Sequence, residues 1–195
     1  MPSADPRIFV AVLAAGSSQR FGADDKLATR FREKRLGEHV CDSFPVERLA
    51  PAMAWVIASQ FGHPCQSAWE RAGFKVAVNP EHDQGMGTSI ALAMRMAARA
   101  DCEALLIALA DMPFVPTGHF HALLDAYDGP DSLICSSDGQ TRMPPAILGN
   151  DRIAADDFGG DQGARAILSE GDVITCPSEW LIDIDTLEDL TRHGQ

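Results

Sequence analysis

Ile8-Phe9-Val10-Ala11-Val12-Leu13-Ala14-Ala15-Gly16-Ser17-Ser18-Gln19-Arg20-Phe21-Gly22 is an apolar run that stops at a stretch rich in glycine and serine, with Lys26 just beyond it. Residues 8–13 are dominated by β-branched and aromatic side chains and are too short to span a membrane, so they read as a buried strand. The loop begins where the strand ends. Gly16 and Gly22 let the backbone turn and come close to a ligand, Ser17 and Ser18 add hydroxyls, and Arg20 and Lys26 add fixed positive charge. Such a set suits a triphosphate. Spacing excludes two common phosphate motifs. A Walker loop has four residues between its glycines and then Lys and Ser or Thr; here five intervene and Ala23 follows Gly22. The dinucleotide fingerprint lacks its closely spaced glycines, since only Gly16 is available.

Outward from this stretch, residues 36–43 read as a short helix, 53–58 as a strand, 65–72 as a helix ended by Gly73, and 74–78 as a third strand. Strands alternating with helices predict a parallel sheet with right-handed crossovers, which binds ligands at the carboxyl ends of its strands. Residues 79–89 follow the third strand directly and lead into a helix marked by Ile90, Ala93, Met94 and Ala97, with Thr88 or Ser89 as its cap. The run 104–110 is the most continuous apolar segment after the first strand and is placed centrally, with both faces covered. It ends in Asp111-Met112-Pro113. A carboxylate there is costly unless paired or coordinated, and a magnesium ion bridging phosphate oxygens would satisfy it. Asp111 could instead cap the helix at 117–127, although Pro116 and Thr117 suit that task better. Residues 132–135 read as a strand, 136–139 as a hairpin turn, and 142–148 as the returning strand. The six histidines read as surface or partly buried polar residues.

A chain of 195 residues, 46% hydrophobic, is long enough for one well-filled core and short for two, so a single domain over residues 1–195 is expected. Its formal net charge of −12 argues against binding to nucleic acid or an anionic membrane. Five scattered cysteines, never as C-x-x-C, suit a reducing cytoplasm rather than a disulfide framework or a zinc site. Residues 9–15 do not read as a signal peptide, because only Arg7 precedes them as a cation and the supposed cleavage site falls inside the loop.

The stretch Leu13-Ala14-Ala15-Gly16 with Ser18, Arg20, Gly22 and Lys26 resembles the signature L-A-A-G-x-S-x-R-x-G-x-x-K of the nucleotidyltransferases that activate molybdopterin, especially the MocA-like cytidylyltransferases. Four later segments are similar in order: Asn79-Pro80 through Gly85-Met86 to Ser89, Asp111-Met112-Pro113, Gly160-Asp161-Gln162-Gly163-Ala164-Arg165, and Asp183-Ile184-Asp185-Thr186 with Glu188-Asp189-Leu190. Between them, Arg142-Met143-Pro144-Pro145 departs from the family's R-G-H-P, which bears on the acceptor side.

The resemblance implies a Rossmann-like α/β three-layer sandwich with a mostly parallel central sheet, of the nucleotide-diphospho-sugar transferase type. It implies a Mg2+-dependent enzyme transferring CMP from CTP, or another nucleotide, to molybdopterin or the molybdenum cofactor, with a molybdoenzyme as eventual recipient. It assigns catalysis to Lys26, Arg20 and Asp111. Nucleotide binding falls to Leu13, Ala14, Ala15, Gly16, Ser17, Arg20, Lys26, Asn79, Gly85 and Ser89, acceptor binding to Arg142 and Arg165, and the metal to Asp111 and Asp185. The form Leu13-Ala14-Ala15-Gly16, where the guanylyl branch has L-A-G-G, points to CTP. A sugar or polyol phosphate as acceptor, or a non-catalytic cofactor carrier, are the other readings. Glu188 and Asp189 read as helix-start charge behind a Thr186 cap.

Overall fold

Residues 6–16, 25–50, 52–155 and 169–194 are described by a computed structural model. In chain order the elements are β1 (Ile8–Ala14), a 3-10 turn (Lys26–Ala28), β2 (Arg30–Phe31), β3 (Lys34–Arg35), a 3-10 turn (Leu36–Glu38), α1 (His39–Ser43) and a 3-10 turn (Val46–Arg48). Then come β4 (Ala54–Ala58), α2 (Gln66–Arg71), β5 (Lys75–Val78), a 3-10 turn (His82–Gln84), α3 (Met86–Arg99), β6 (Ala104–Leu109) and α4 (Thr117–Ala126). The remainder is β7 (Leu133–Ser137), β8 (Arg142–Gly149), α5 (Asn150–Ala155), β9 (Asp172–Thr175), a 3-10 turn (Ser178–Leu181) and α6 (Leu187–His193).

Seven strands form one sheet in the order β5-β4-β1-β6-β8-β7-β9. β1 lies between β4 and β6 and is parallel to both, with Val12 beside Val56 on one side and Ala108 on the other. Among the described strands of this sheet only β8 runs antiparallel to its neighbours. The continuous apolar reading of β1 has its cause here, since every one of its residues is buried. Phe9, Ala11 and Leu13 pack with Ile90, Ala93 and Ala97 of α3 on one face. Ile8, Val10, Val12 and Ala14 pack on the other with Val40 of α1, Trp69 of α2, and Phe120 and Leu123 of α4. Both faces being covered by helices, the strand has no polar side to show, and each large side chain so buried contributes about 1.5–3 kcal/mol. The result is the three-layer, mostly parallel α/β sandwich that the family resemblance implies, built on the parallel strands that the alternating pattern predicts.

Several details differ from the sequence expectation. α3 begins earlier than a Thr88 or Ser89 cap allows: Gly85, at φ +111°, is its cap, and both hydroxyl residues lie inside the first turn. The Thr88 hydroxyl turns back to the Gly85 carbonyl at 2.8 Å. β7 continues through Ser136 and Ser137, which were expected in the turn. The turn starts two residues later, at Asp138, whose Oδ1 accepts from Gln140 N at 2.9 Å and Thr141 N at 2.8 Å. The helix expected to open at Gly160 lies outside the described residues.

Candidate active site

The carboxyl ends of β1, β4, β5 and β6 share one edge of the sheet, because these strands are parallel and in register. β8, running the opposite way, begins at that same edge, so Arg142 lies there too. Leu13 and Ala14 close β1, and Ala15 behind them is buried. Gly16 is exposed, and among the described residues a Cβ built on it would meet nothing within 4 Å, which leaves the backbone open to a ligand. Ser17, Arg20 and Arg165 lie outside the described residues.

Lys26 sits on a single 3-10 turn whose start is capped by Asp25, Oδ1 accepting from Leu27 N at 2.9 Å. Its Nζ donates to Asp111 Oδ2 at 2.8 Å and to Asp185 Oδ1 at 2.8 Å. Residues separated by 85 and 159 positions thus meet at one ammonium. Asp111 is delivered by the end of β6, where Ala110 N continues the ladder to Leu13 O at 3.0 Å. Asp185 is delivered by the strand-like stretch before α6, which is tied back by Ile184 N to Asp111 O at 3.0 Å. That one backbone bond fixes the two carboxylates relative to each other. Burial alone would lower the pKa of Lys26, but attraction to Asp111 and Asp185 outweighs it and raises the value, so the ammonium keeps its charge.

A third carboxylate, Asp183, was not singled out in the sequence. It precedes Asp185 by two residues around Ile184, which is fully buried, and this acid-apolar-acid alternation was the available signal. Although Asp183 is exposed along one side, partial desolvation, then the charges of Asp185 and Asp111, push its carboxyl above the ordinary value. Three acids therefore face one cation. Asp111 Oδ1, moreover, is buried and finds no hydrogen-bond partner among the described residues. A magnesium ion is commonly held by one or two carboxylates together with phosphate oxygens and water, and Asp111 with Asp185 fits that set. Among the described residues no cluster of three His, Cys, Asp or Glu is arranged as an all-protein metal site.

Along the rim, Asn79 is 1% exposed and its side chain is spent inside its own loop. Nδ2 donates to Thr88 Oγ1 at 2.8 Å and Ser89 Oγ at 2.9 Å, and Oδ1 accepts from Glu81 N at 3.0 Å. Asn79 and Ser89 thus shape the loop leading to Gly85. Arg142 is exposed and donates to the carbonyl of Ser169. Two of the histidines read as surface or partly buried residues are fully buried instead. His119 donates from Nε2 to Ser136 Oγ at 2.7 Å, which in turn donates to Pro145 O at 2.8 Å, bracing the start of β8. His63 lies against Trp69 and beside Asp25. Both are buried because an element packed onto them supplies a polar partner, which sequence spacing does not show.

The MobA-like NTP transferase domain matches residues 10–174. The chain belongs to this family. A molybdenum cofactor guanylyltransferase of Cereibacter sphaeroides is 34% identical over 110 residues, covering 56% of this chain and 53% of that one, so the chain spans about half the length of that relative. One of the same name from Shewanella baltica is 27% identical over 143 residues, 73% of this chain and 68% of that one. Among solved structures, a nucleotidyl transferase of Methanothermobacter superposes with a TM-score of 0.78 at 17% identity, covering 96% of both chains. Molybdopterin-guanine dinucleotide biosynthesis protein A of Archaeoglobus fulgidus does so at 0.60 and 20% identity, covering 95% of this chain and 96% of that one. At these identities the structures show a shared fold; the span matched by the MobA-like domain includes Lys26 and Asp111 and ends before Asp183 and Asp185.

Proposed function

We propose that the protein is a nucleotidyltransferase that moves a nucleoside monophosphate from its triphosphate onto the terminal phosphate of molybdopterin or the molybdenum cofactor. The observation that carries this reading is the Lys26 ammonium between Asp111 and Asp185, at the sheet edge where the loop after β1 begins. In the reaction an acceptor phosphate oxygen attacks the α-phosphorus, the bond to the bridging oxygen breaks, and its electron pair leaves with pyrophosphate. The protein forms no covalent bond. Its task is to hold two anions in line and neutralise their charge. Lys26 exchanges its carboxylate partners for phosphate oxygens. Asp111 and Asp185 are the residues that would hold Mg2+, which would supply further charge neutralisation to the phosphates. Asn79, Ser89 and Gly85 shape the loop against the base, Arg142 serves the acceptor, and Arg20 and Arg165 are assigned from sequence alone to the leaving pyrophosphate and the acceptor.

For the nucleotide we infer CTP. The support is Ala15, whose methyl occupies space where the L-A-G-G form has none; the relatives named guanylyltransferases set the opposite precedent. A methyl-sized difference in an apolar site is worth about 1–3 kcal/mol, so a 10- to 200-fold ratio of kcat/KM for CTP over GTP is expected. Pyrophosphate release is measured with each nucleotide and molybdopterin, with sugar and polyol phosphates as competing acceptors. A GTP preference removes the role given to Ala15. Release with a sugar phosphate alone moves the acceptor, and no release with any pair leaves a carrier without turnover.

A further inference from the structure

The turn that carries Lys26 is anchored by a buried histidine that the proposed chemistry does not use. Asp25 spends one carboxylate oxygen on capping that turn, while the other, Oδ2, lies 2.7 Å from His63 Nε2. The His63 side chain is 1% exposed and is stacked on the Trp69 ring, with centroids 4.7 Å apart and planes at 20°. Its Nδ1 accepts from Cys65 N at 3.1 Å. An imidazole that accepts at Nδ1 carries its proton at Nε2, the nitrogen facing Asp25. Nε2 makes no hydrogen bond among the described residues, so its tie to Asp25 is an electrostatic contact.

The surroundings leave this arrangement little slack. Cys65 Sγ donates to Leu27 O at 3.2 Å, gripping the same turn, and Trp69 Nε1 donates to Gly37 O at 2.7 Å in the neighbouring 3-10 turn that packs against it. A Cβ on Gly37 would meet Leu27 Cβ at 3.0 Å. An apolar side chain would fill the space on Trp69 without the desolvation cost of an imidazole, so a polar ring here needs a use for both nitrogens. One serves the backbone at Cys65, and the other serves Asp25.

We propose that His63 is a positioning residue for Lys26, holding through Asp25 the turn from which the ammonium reaches the phosphates. This rests on the nucleotidyl-transfer reading above. Lys26 has a flexible four-carbon stem, so its direction is set by the backbone of residues 25–28. Engaging Asp25 also keeps that carboxylate from competing with Asp111 and Asp185 for the ammonium one residue away. The contact with His63 is the main cause that holds the Asp25 carboxyl below its ordinary value.

Two substitutions separate the nitrogens of the ring. His63→Asn keeps an acceptor where Nδ1 meets Cys65 N and loses the reach to Asp25, whereas His63→Gln places an amide N–H near Asp25 and loses the Nδ1 acceptor. Displacement of a reacting group by about 1 Å can lower rate on the order of 100-fold, so kcat in H63N should fall 10- to 100-fold with KM for the nucleotide little changed. H63Q should recover most of that loss, and in a K26A background H63N should lower kcat no further. A loss that follows thermal stability equally in both variants, or that adds in full to K26A, overturns the proposal. Asp25→Asn, which keeps the cap on Leu27 N, should repeat the H63N effect if H63N does not fold, and wild-type kcat in D25N overturns it. Hydrogen exchange at the Leu27 amide reads the anchor without the reaction: it should quicken in H63N and not in H63Q, and equal exchange in all three proteins overturns the anchor. Absence of pyrophosphate release from the wild type overturns the functional reading, and the exchange result then still decides whether His63 holds the turn.

Discussion

The Lys26 ammonium lies 2.8 Å from each of two carboxylates, the pair proposed to hold the metal. Lys26 is therefore both a phosphate ligand in the proposed chemistry and the cation that keeps Asp111 and Asp185 together without nucleotide. Removing it leaves three carboxylates with the Asp111 Oδ1 already unpartnered among the described residues. Since Lys26 is largely buried while Asp185 keeps contact with water, Lys26→Ala should cost about 1–3 kcal/mol of stability. Added Mg2+ should raise the Tm of K26A more than that of the wild type, read by thermal melts at fixed ionic strength; an equal rise in both means that the ammonium does not occupy the metal's place. Asp111→Asn should abolish Mg2+-dependent turnover while circular dichroism stays native, and a variant that keeps most of its rate removes Asp111 as a metal ligand. Asp111 was legible because it stands where the apolar strand β6 ends, and Lys26 and Asp185 were legible through the family motifs that their segments match. Asp183, Asp25 and His63 were not, because their significance comes from partners far away in sequence.

Gly85 shows how an element can be correct in kind and wrong in register. The apolar spacing from Ile90 onward identifies α3, but its start is set by a backbone at φ +111° and ψ 171°, which only glycine adopts without strain. Gly85→Ala should therefore cost about 1–3 kcal/mol and weaken nucleotide binding together with stability, read by denaturant melts and nucleotide titration. Unchanged stability would mean that the loop before α3 relaxes freely. The Thr186 cap of α6, by contrast, was readable outright, and it forms a reciprocal box with Asp189: Thr186 Oγ1 accepts from Asp189 N at 3.1 Å and Asp189 Oδ2 from Thr186 N at 3.0 Å. The hairpin of β2 and β3 was not read. Strands of two residues each offer no alternation to detect, and theirs is held by Phe31, buried against Phe114 and His39. β1, β4, β5 and β6 were readable because their burial on the sheet leaves a continuous or alternating apolar trace.

At the scale of the whole chain, all five cysteines are buried, Cys41, Cys65 and Cys176 in the core on one side of the sheet and Cys102 in that on the other. Burial pushes each thiol above its ordinary value, and Cys65, under the Lys26 turn, reaches about 12. A thiol whose pKa is raised by folding binds its proton more tightly in the native state, so it takes stability away as pH rises past the ordinary thiol value of 9.0 toward its raised one. Lys26, also raised, acts in the same direction above its ordinary 10.5. Stability should therefore be insensitive to these groups at neutral pH and should fall steadily on the alkaline side. Only the thiolate reacts with disulfide reagents, so labelling at pH 8 must wait for the fold to open. The native protein should react negligibly, and all five thiols should appear together on unfolding in guanidinium. Nucleotide with Mg2+ should slow labelling of Cys65 more than that of Cys102 or Cys135, because Cys65 Sγ is bonded to Leu27 O in the turn that binding would fix. Mass-resolved labelling of each cysteine checks this. Equal slowing at all three positions would show that binding tightens the molecule globally, and would separate the Lys26 turn from any local response to the ligand.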